Sequence, residues 1–317
     1  DQDQLFGRHV RAYAGLSDAA LDHRTWRFEM ARIMAAATGL RTRMPGPAQL
    51  NVEFSEPLLP AEFAWPPPAP ELSITGSRIP SESTTLPAGA QTVIVAGDCP
   101  PEIGRAIAED ATRAGVPLLA EPSSNARRGE AALSTYRLLL SSTLAEGIER
   151  VIVFGRPTLS RPISALLSRD DVELIVVSAY ADWIDPGRVA STVTDAVTLG
   201  ESGNAGWLDA WREADRTVRT RLDALLAAQP YFAGPALAAT LWTALGADDA
   251  LFAGSSSPIR DLDLAPISAT APRVYANRGL SGIDGNVSTA AGIALALERP
   301  THALLGDLTA LHDATGL

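Results

Sequence analysis

Short apolar runs alternate with stretches of helical spacing through the middle of the chain. QTVIVAG (91–97), VPLLAEP (116–122), RVIVFG (150–155) and VELIVVSA (172–179) each read as a strand. Between and after them the spacing predicts helices over about 101–114, 131–147, 162–167 and 206–227. In the last of these Trp207, Trp211, Val218 and Leu222 fall on successive turns. Strands that alternate with helices imply a parallel sheet with right-handed crossovers. Further on, FAGPALAATLWTALGADD reads as a helix ending near Gly246, and ALFAGSSSPIRDLDL as a strand running into a polar turn. From Pro272 to Leu317 the order is a short strand, a glycine-rich turn, an apolar helix from about 287 to 297, a buried strand over 302–305, and an acidic turn.

The first part of the chain is sparser. Trp26, Met30, Ile33 and Met34 set out a helix over 24–38 with Gly39 as its stop. MPGPAQLNVEF then turns into a strand. One helix and one strand cannot bury a core alone, so 1–69 reads as the tail of a domain. Residues 60–90 are rich in Pro and Ser, a linker extended around Pro66–Pro68, with Trp65 as a packing anchor. The division expected is 1–69, 70–230 and 231–317.

Composition narrows the function by exclusion. Net charge is −11, which disfavours a broad nucleic-acid surface. All 26 basic residues are arginine. That excludes a P-loop lysine, a Schiff-base lysine and a kinase strand lysine. An anionic substrate would fall to arginine forks and backbone N–H groups. Cys99 is the only cysteine, and His9, His23, His302 and His312 lack zinc-ligand spacing. No apolar run reaches the ~18 residues of a membrane span, and the start of the chain lacks the apolar core of a signal peptide, so a reducing cytoplasm is expected.

The candidate chemistry lies near the end. Gly279, Gly282 and Gly285 punctuate the first turn of the last stretch, with Ser281, Asp284, Ser288 and Thr289 around it. Glycines let backbone approach a ligand, and the start of the following helix would offer unpaired N–H groups to an anion. Asp307 follows a strand, where α/β sheets bind ligands, and offers the hard oxygen that Mg²⁺ prefers; by itself it could equally cap a helix. VAGDCPPEIG and VFGRPTLSRP occupy nucleotide-binding positions of a Rossmann sheet, but neither is GxGxxG, and no nucleotide site is expected there. Arg156 and Arg161 read as solvated or interface residues. His312 and Asp313 are neighbours in sequence, do not face each other on a helix, and read as structural.

NRGLSGIDGNVSTAAG followed by LLGDLTALHD resembles the diphosphate-binding domain of thiamine diphosphate enzymes. Within that group it most resembles the MenD family, the 2-succinyl-5-enolpyruvyl-6-hydroxy-3-cyclohexene-1-carboxylate synthases of menaquinone biosynthesis. The chain has GDL, as that family does, where the generic fingerprint has GDG. GPAQLNVEFSEPL resembles the end of the family's pyrimidine-binding domain. The resemblance implies α/β domains of the three-layer parallel-sheet type. By it, 1–69 is the C-terminal remnant of the pyrimidine-binding domain and the start of the linker. Residues 70–230 form a central Rossmann-like domain, mainly structural, and 231–317 the first part of the diphosphate- and Mg-binding domain.

It also implies residue roles. Asp307 binds Mg²⁺. Gly282, the Leu308 N–H and the Thr309 hydroxyl meet thiamine diphosphate. Ile283 wedges beneath the cofactor and bends it into its reactive form. Ser256 lies near cofactor or substrate, and Arg260 and Arg278 hold substrate carboxylates. The activity implied is a transferase reaction, the decarboxylation of 2-oxoglutarate and addition of the succinyl carbanion to isochorismate. Family sites form between subunits, so a homodimer or homotetramer is implied. The chain stops at Leu317, before the second metal ligand, and carries no activating glutamate, so the piece alone is expected to be inactive. Two other readings stay open: a relative of acetohydroxyacid synthase, and a non-catalytic scaffold domain of nucleotide-binding type.

Overall fold

The computed structural model describes residues 2–18, 23–59, 72–76, 83–200, 206–231, 233–278 and 282–317. Trp65, Pro66–Pro68, Gly279 and Ser281 lie outside these described residues. The chain divides into two compact units, one of Asp1–Glu82 with Ser178–Trp183, the other of Ser83–Val177 with Ile184–Leu317.

In the first unit β1 (Tyr13–Ser17) and β2 (Gln49–Glu53) pair in parallel around α1 (His23–Ala37). Gly39 ends α1 at φ +66, and a Cβ there would sit 2.5 Å from Pro45 N, so glycine is required. Strand β1 escaped the sequence reading because RAYAGLS is short and carries an interior glycine. Ala14, Leu16 and Ile33 are buried, whereas Phe28, Met30, Met34 and Phe54 stand exposed.

The second unit begins with β3 (Ser83–Thr85), β4 (Thr92–Ala96), α2 (Pro101–Ala114) and β5 (Leu118–Ala120). There follow α3 (Tyr136–Leu139), α4 (Thr143–Glu146), β6 (Arg150–Phe154), α5 (Arg161–Leu166) and β7 (Glu173–Val177). Then come β8 (Ala190–Thr194), β9 (Ala196–Thr198) and α6 (Trp207–Ala227). The main sheet is all parallel in the order β5-β4-β6-β7-β8, as the alternation of strands and helices predicts. Its apolar runs are continuous because both faces are covered. Val93, Val95, Val151, Val153, Leu174 and Val176 pack with Trp207 and Trp211. Their neighbours in sequence, Ile94, Ile152 and Ile175, point the other way onto Ile107, Ala108 and Ala111 of α2. Trp207 Nε1 donates to Thr92 O at 2.9 Å, which satisfies the one polar atom that its ring brings into the core. Pro101 opens α2, and Gly115 in the left-handed region closes it.

The long helix expected over 131–147 is not there. Residues 131–135 are buried but not helical, with Ala132 bridged to Leu118, and only the single turns α3 and α4 follow. Asp215 on α6 is the reason: it takes the N–H and hydroxyl of both Ser134 and Thr135, including Thr135 N–H at 2.7 Å, so these groups have no need of a helix. Strand β8 was also unforeseen; ASTVT is a half-exposed edge strand with no apolar run.

Strand order reverses at β4, and the crevice outside β4 and β6 is the usual nucleotide position in such sheets. Here the two loops close on each other. Asp98 and Arg156 exchange backbone hydrogen bonds at 3.0 and 3.1 Å, and a Cβ on Gly97 would fall 2.0 Å from Pro157 N. Cys99 lies beside this closure. Its thiol donates to Ser124 O at 2.8 Å, and burial with Asp98 and Glu102 nearby pushes it up to about 12.

The unit continues with α7 (Gly234–Ala244), β10 (Ala250–Ala253), α8 (Ser257–Leu262), β11 (Arg273–Tyr275), α9 (Asn286–Leu297), β12 (Thr301–Leu304) and α10 (Asp307–His312). Here the sheet order is β11-β10-β12, again parallel. Trp242, Leu251, Ile259, Leu262 and Val274 form its core. β12, expected to be buried, has no buried residue, because among the described residues it pairs only with β10 and lies at the edge. At the other edge the Asn125 side chain stands in for a strand: its Oδ1 accepts from Val274 N at 2.8 Å and its Nδ2 donates to Val274 O at 3.0 Å. Between the two sheets lies a buried polar cluster. Asp263 accepts from Tyr136 OH at 2.7 Å and faces Arg127 and Arg137 at 3.7 and 3.5 Å.

Candidate functional site

β10 lies between β11 and β12, so the loops that leave these three strands share the carboxyl edge of the sheet. The path turns one way through α8 and back through α9, which opens a crevice at that edge. Gly254 ends β10 and donates to Leu304 O at 2.8 Å; a Cβ there would press on Leu304 O and Leu305 Cδ2, both at 3.0 Å. Glycine is therefore what lets the loops after β10 and β12 lie together. Ser256 follows with φ +71 and ψ −130, a conformation that L side chains rarely adopt. Strain of this kind collects at ligand sites and costs of order 1–3 kcal/mol. Ser256→Gly is expected to raise unfolding stability by about 1 kcal/mol after glycine's own entropy cost. A shift of the urea midpoint to higher concentration checks it; a shift to lower concentration would mean that no strain is stored there. Arg260, one turn into α8, reaches back to the hydroxyls of Ser256 and Ser257 at 3.4 and 3.5 Å.

Beyond β11, Arg278 is fixed rather than left in solvent. Its Nε donates to Thr158 Oγ1 at 3.0 Å and its Nη2 to Thr158 O at 3.1 Å. Arg278 and Arg156 both lie near Asp98, whose carboxyl is nevertheless held above its ordinary range by burial. The turn that follows is described from Gly282. Ile283 is 42% exposed, so the ordinary core role of an isoleucine does not apply to it. Among the described residues nothing lies within 4 Å of a Cβ built on Gly285, and Gly306 would meet only Thr309 Oγ1 at 3.8 Å. Backbone here stands open to an incoming group.

The N–H groups at the start of α9 are not unpaired, as the sequence led us to expect. Asp313 Oδ2 accepts from Val287 N at 2.6 Å and Ser288 N at 3.1 Å. The chain's own carboxylate fills the anion position that the helix creates. His312 Nε2 meets Asp284 Oδ1 at 2.6 Å. Two adjacent residues thus bind the glycine-rich turn to the end of the chain, which gives the LHD segment its structural role. Buried Asn286 braces the same turn through Gly282 O and Asp284 O, both at 3.3 Å.

Asp307 is the first residue of α10 and is exposed. Its Oδ1 accepts from Leu308 N at 2.8 Å, so one of its oxygens serves the helix start. Leu308 is exposed and Thr309 partly buried beside it. No group of three or more His, Cys, Asp or Glu side chains that could hold a metal occurs among the described residues. The remaining oxygen of the exposed Asp307 carboxylate is a hard donor of the kind Mg²⁺ takes when one carboxylate is joined by oxygens of a phosphate and water. Ser256, Arg260, Arg278, Gly282, Ile283, Asp307, Leu308 and Thr309 thus lie on loops leaving one sheet edge or on the helix starts beside it. The sequence reading missed Glu121 and Thr158, which hold Arg278 from the central sheet. The available signal was a glutamate directly after an apolar strand.

Fold and site together define an α/β protein of parallel sheets with polar and charged groups gathered at the carboxyl edge of its last sheet. No helix among the described residues is long and apolar enough to cross a membrane. The chain matches no family model. Among curated proteins it is 45% identical over 303 residues to a 2-succinyl-5-enolpyruvyl-6-hydroxy-3-cyclohexene-1-carboxylate synthase of Kineococcus radiotolerans, a match covering 92% of this chain and 54% of that protein. It is 42% identical over 342 residues to the synthase of the same name from Arthrobacter sp., covering all of this chain and 54% of the relative. The Mycobacterium avium synthase is 37% identical over 336 residues, with 100% and 59% covered. The chain belongs to this synthase family, as its NRGLSGIDG and GDLT segments led us to expect. It spans about half the length of the curated relatives it matches.

Proposed function

We propose that the chain is the central part of a thiamine diphosphate- and Mg²⁺-dependent transferase that decarboxylates 2-oxoglutarate and joins the succinyl unit to isochorismate in menaquinone biosynthesis. The observation that carries this reading is the meeting of the Ser256, Arg278 and Asp307 loops on one sheet edge. When bound, the cofactor supplies the nucleophilic carbon and the electron sink for decarboxylation. The protein's part is binding and orientation.

In this reading Asp307 would hold the Mg²⁺ through its carboxylate, and Leu308 N–H and Thr309 Oγ1 would be the donors for the diphosphate. Gly282 would let the cofactor come close, and Ile283, exposed at the turn, would wedge beneath it. Arg278 meets a substrate carboxylate with its planar fork, and Arg260 and Ser256 line the same side. Partner subunits would complete the site in a homo-oligomer, and a cytoplasmic enzyme is the natural setting for these substrates.

Isothermal calorimetry on the 317-residue chain tests the reading. Thiamine diphosphate is expected to bind in the presence of Mg²⁺ and to weaken when the ion is chelated, with 2-oxoglutarate binding to the loaded protein. Binding of NAD or FAD instead would favour a scaffold of nucleotide-binding type and end this proposal.

A further inference from the structure

Arg278 owes its position to a chain of contacts that starts in the central sheet. Two of its hydrogen bonds go to Thr158, one to the hydroxyl and one to the carbonyl. The other side of that segment is held by Glu121. Thr158 N donates to Glu121 Oε2 at 3.1 Å, and Leu159 N donates to Oε1 at 2.9 Å. Each carboxylate oxygen therefore takes one of two consecutive N–H groups. Glu121 itself is 1% exposed and follows β5, so it acts from behind the loop. Its own backbone is fixed, with its N–H on Ala96 O at 2.9 Å and its carbonyl accepting Ser124 Oγ at 2.6 Å.

We propose that Glu121 is a positioning residue for Arg278, acting through the Thr158–Leu159 backbone. The inference rests on the reading of Arg278 as a group that receives a substrate carboxylate.

A buried carboxylate is a costly way to hold two amides, and that cost gives the contact a pH dependence. Burial pushes Glu121 from an ordinary 4.5 up to about 7, and Asp263 pushes the same way; the Leu159 and Thr158 amides and the Arg278 charge oppose them. Tyr136 on α3 faces the same carboxyl, and Asp98 lies near Arg278 from the β4 loop. Above about 7 both oxygens accept and the loop is fully held. Below that, one oxygen carries a proton and is a poor acceptor, so one of the two amides is released. Folding runs the other way. A carboxyl raised in the folded state contributes stability that is fully present below its ordinary value and is lost as pH rises through about 7. Rising pH therefore costs stability while it tightens the grip on Arg278, which a purely structural role would not do.

The test is a pH series from about 5.5 to 8.5 on the ¹⁵N-labelled chain, following the Thr158 and Leu159 amides and the Arg278 Nε–H by NMR. All three are expected to shift with one midpoint near neutrality. Glu121→Gln should abolish that midpoint in all three and leave the rest of the spectrum in place. A flat Arg278 signal while the amides titrate overturns the proposal, as does a midpoint that persists in the variant. The unsubstituted chain alone decides the first point should the variant not fold. Calorimetry with 2-oxoglutarate and the thiamine diphosphate-loaded chain adds a second readout. Affinity is expected to rise by up to about tenfold from pH 6 to 7 in the native chain and to stay level in Glu121→Gln. If 2-oxoglutarate fails to bind while the NMR coupling holds, the substrate reading of Arg278 falls and the positioning role stands.

Discussion

Replacing Asp263 with alanine is expected to destabilise the chain by about 3–5 kcal/mol, the cost of leaving a buried charge without its partner. Asp263 has no exposed surface, and Arg127 opposite is 1% exposed. Arg127 also donates to Ala120 O and Ala265 O, and Tyr136 OH donates to Asp263 Oδ1. Burial acts against charge on both partners, lowering Arg127 and raising Asp263 from their ordinary values. Without the carboxylate the guanidinium keeps only carbonyl acceptors, and the tyrosine hydroxyl loses its acceptor. The cluster also joins the two sheets: Arg127 and Tyr136 belong to the central one, and Asp263 follows α8. The measurement is urea unfolding followed by tryptophan fluorescence, to which the buried Trp211 and Trp242 contribute from the two cores. Both should unfold earlier in Asp263→Ala. The double variant Arg127→Met, Asp263→Leu is expected to recover most of the loss, since an apolar pair of similar size removes the unpaired charge. A double variant as unstable as the single one would mean that the cluster's hydrogen bonds, not its charges, carry the stability.

The second large effect concerns ligand affinity. Asp307→Ala is expected to weaken thiamine diphosphate binding in Mg²⁺ by about 100-fold or more, beyond what loss of a supporting group around a metal ligand costs. Stability should move by less than about 0.5 kcal/mol, because the side chain is exposed and its one helix contact is local. Calorimetry gives the first number and urea unfolding the second. Equal affinity for native and variant chains would remove Asp307 from the site, whatever else lines that edge.

The sequence showed the central sheet well because burial on both faces writes itself as unbroken apolar strands. QTVIVAG and RVIVFG are of this kind, and Pro101 and Gly115 bracket α2 with ordinary cap chemistry. What local pattern could not show was decided by distant partners. AALSTYRLL has the residues of a helix, but Asp215, some eighty positions on, takes the Ser134 and Thr135 groups that a helix would use. β12 carries an apolar run yet lies at a sheet edge, and only the strand order reveals that. The same limit applied at the site. Strand ends followed by polar turns placed Ser256, Arg278 and Asp307 on one edge. Nothing local linked Glu121 to Arg278, and nothing local showed that Asp313 would occupy the start of α9.

The lone cysteine makes this protein convenient to label. A thiol held near 12 and bonded to Ser124 O has almost no thiolate at neutral pH, and the thiolate is the form that alkylating dyes attack. A single cysteine introduced at exposed Leu308 would therefore take up a fluorophore selectively, with the native sulfur left intact as a silent background. Such a probe would read occupancy of the carboxyl edge directly.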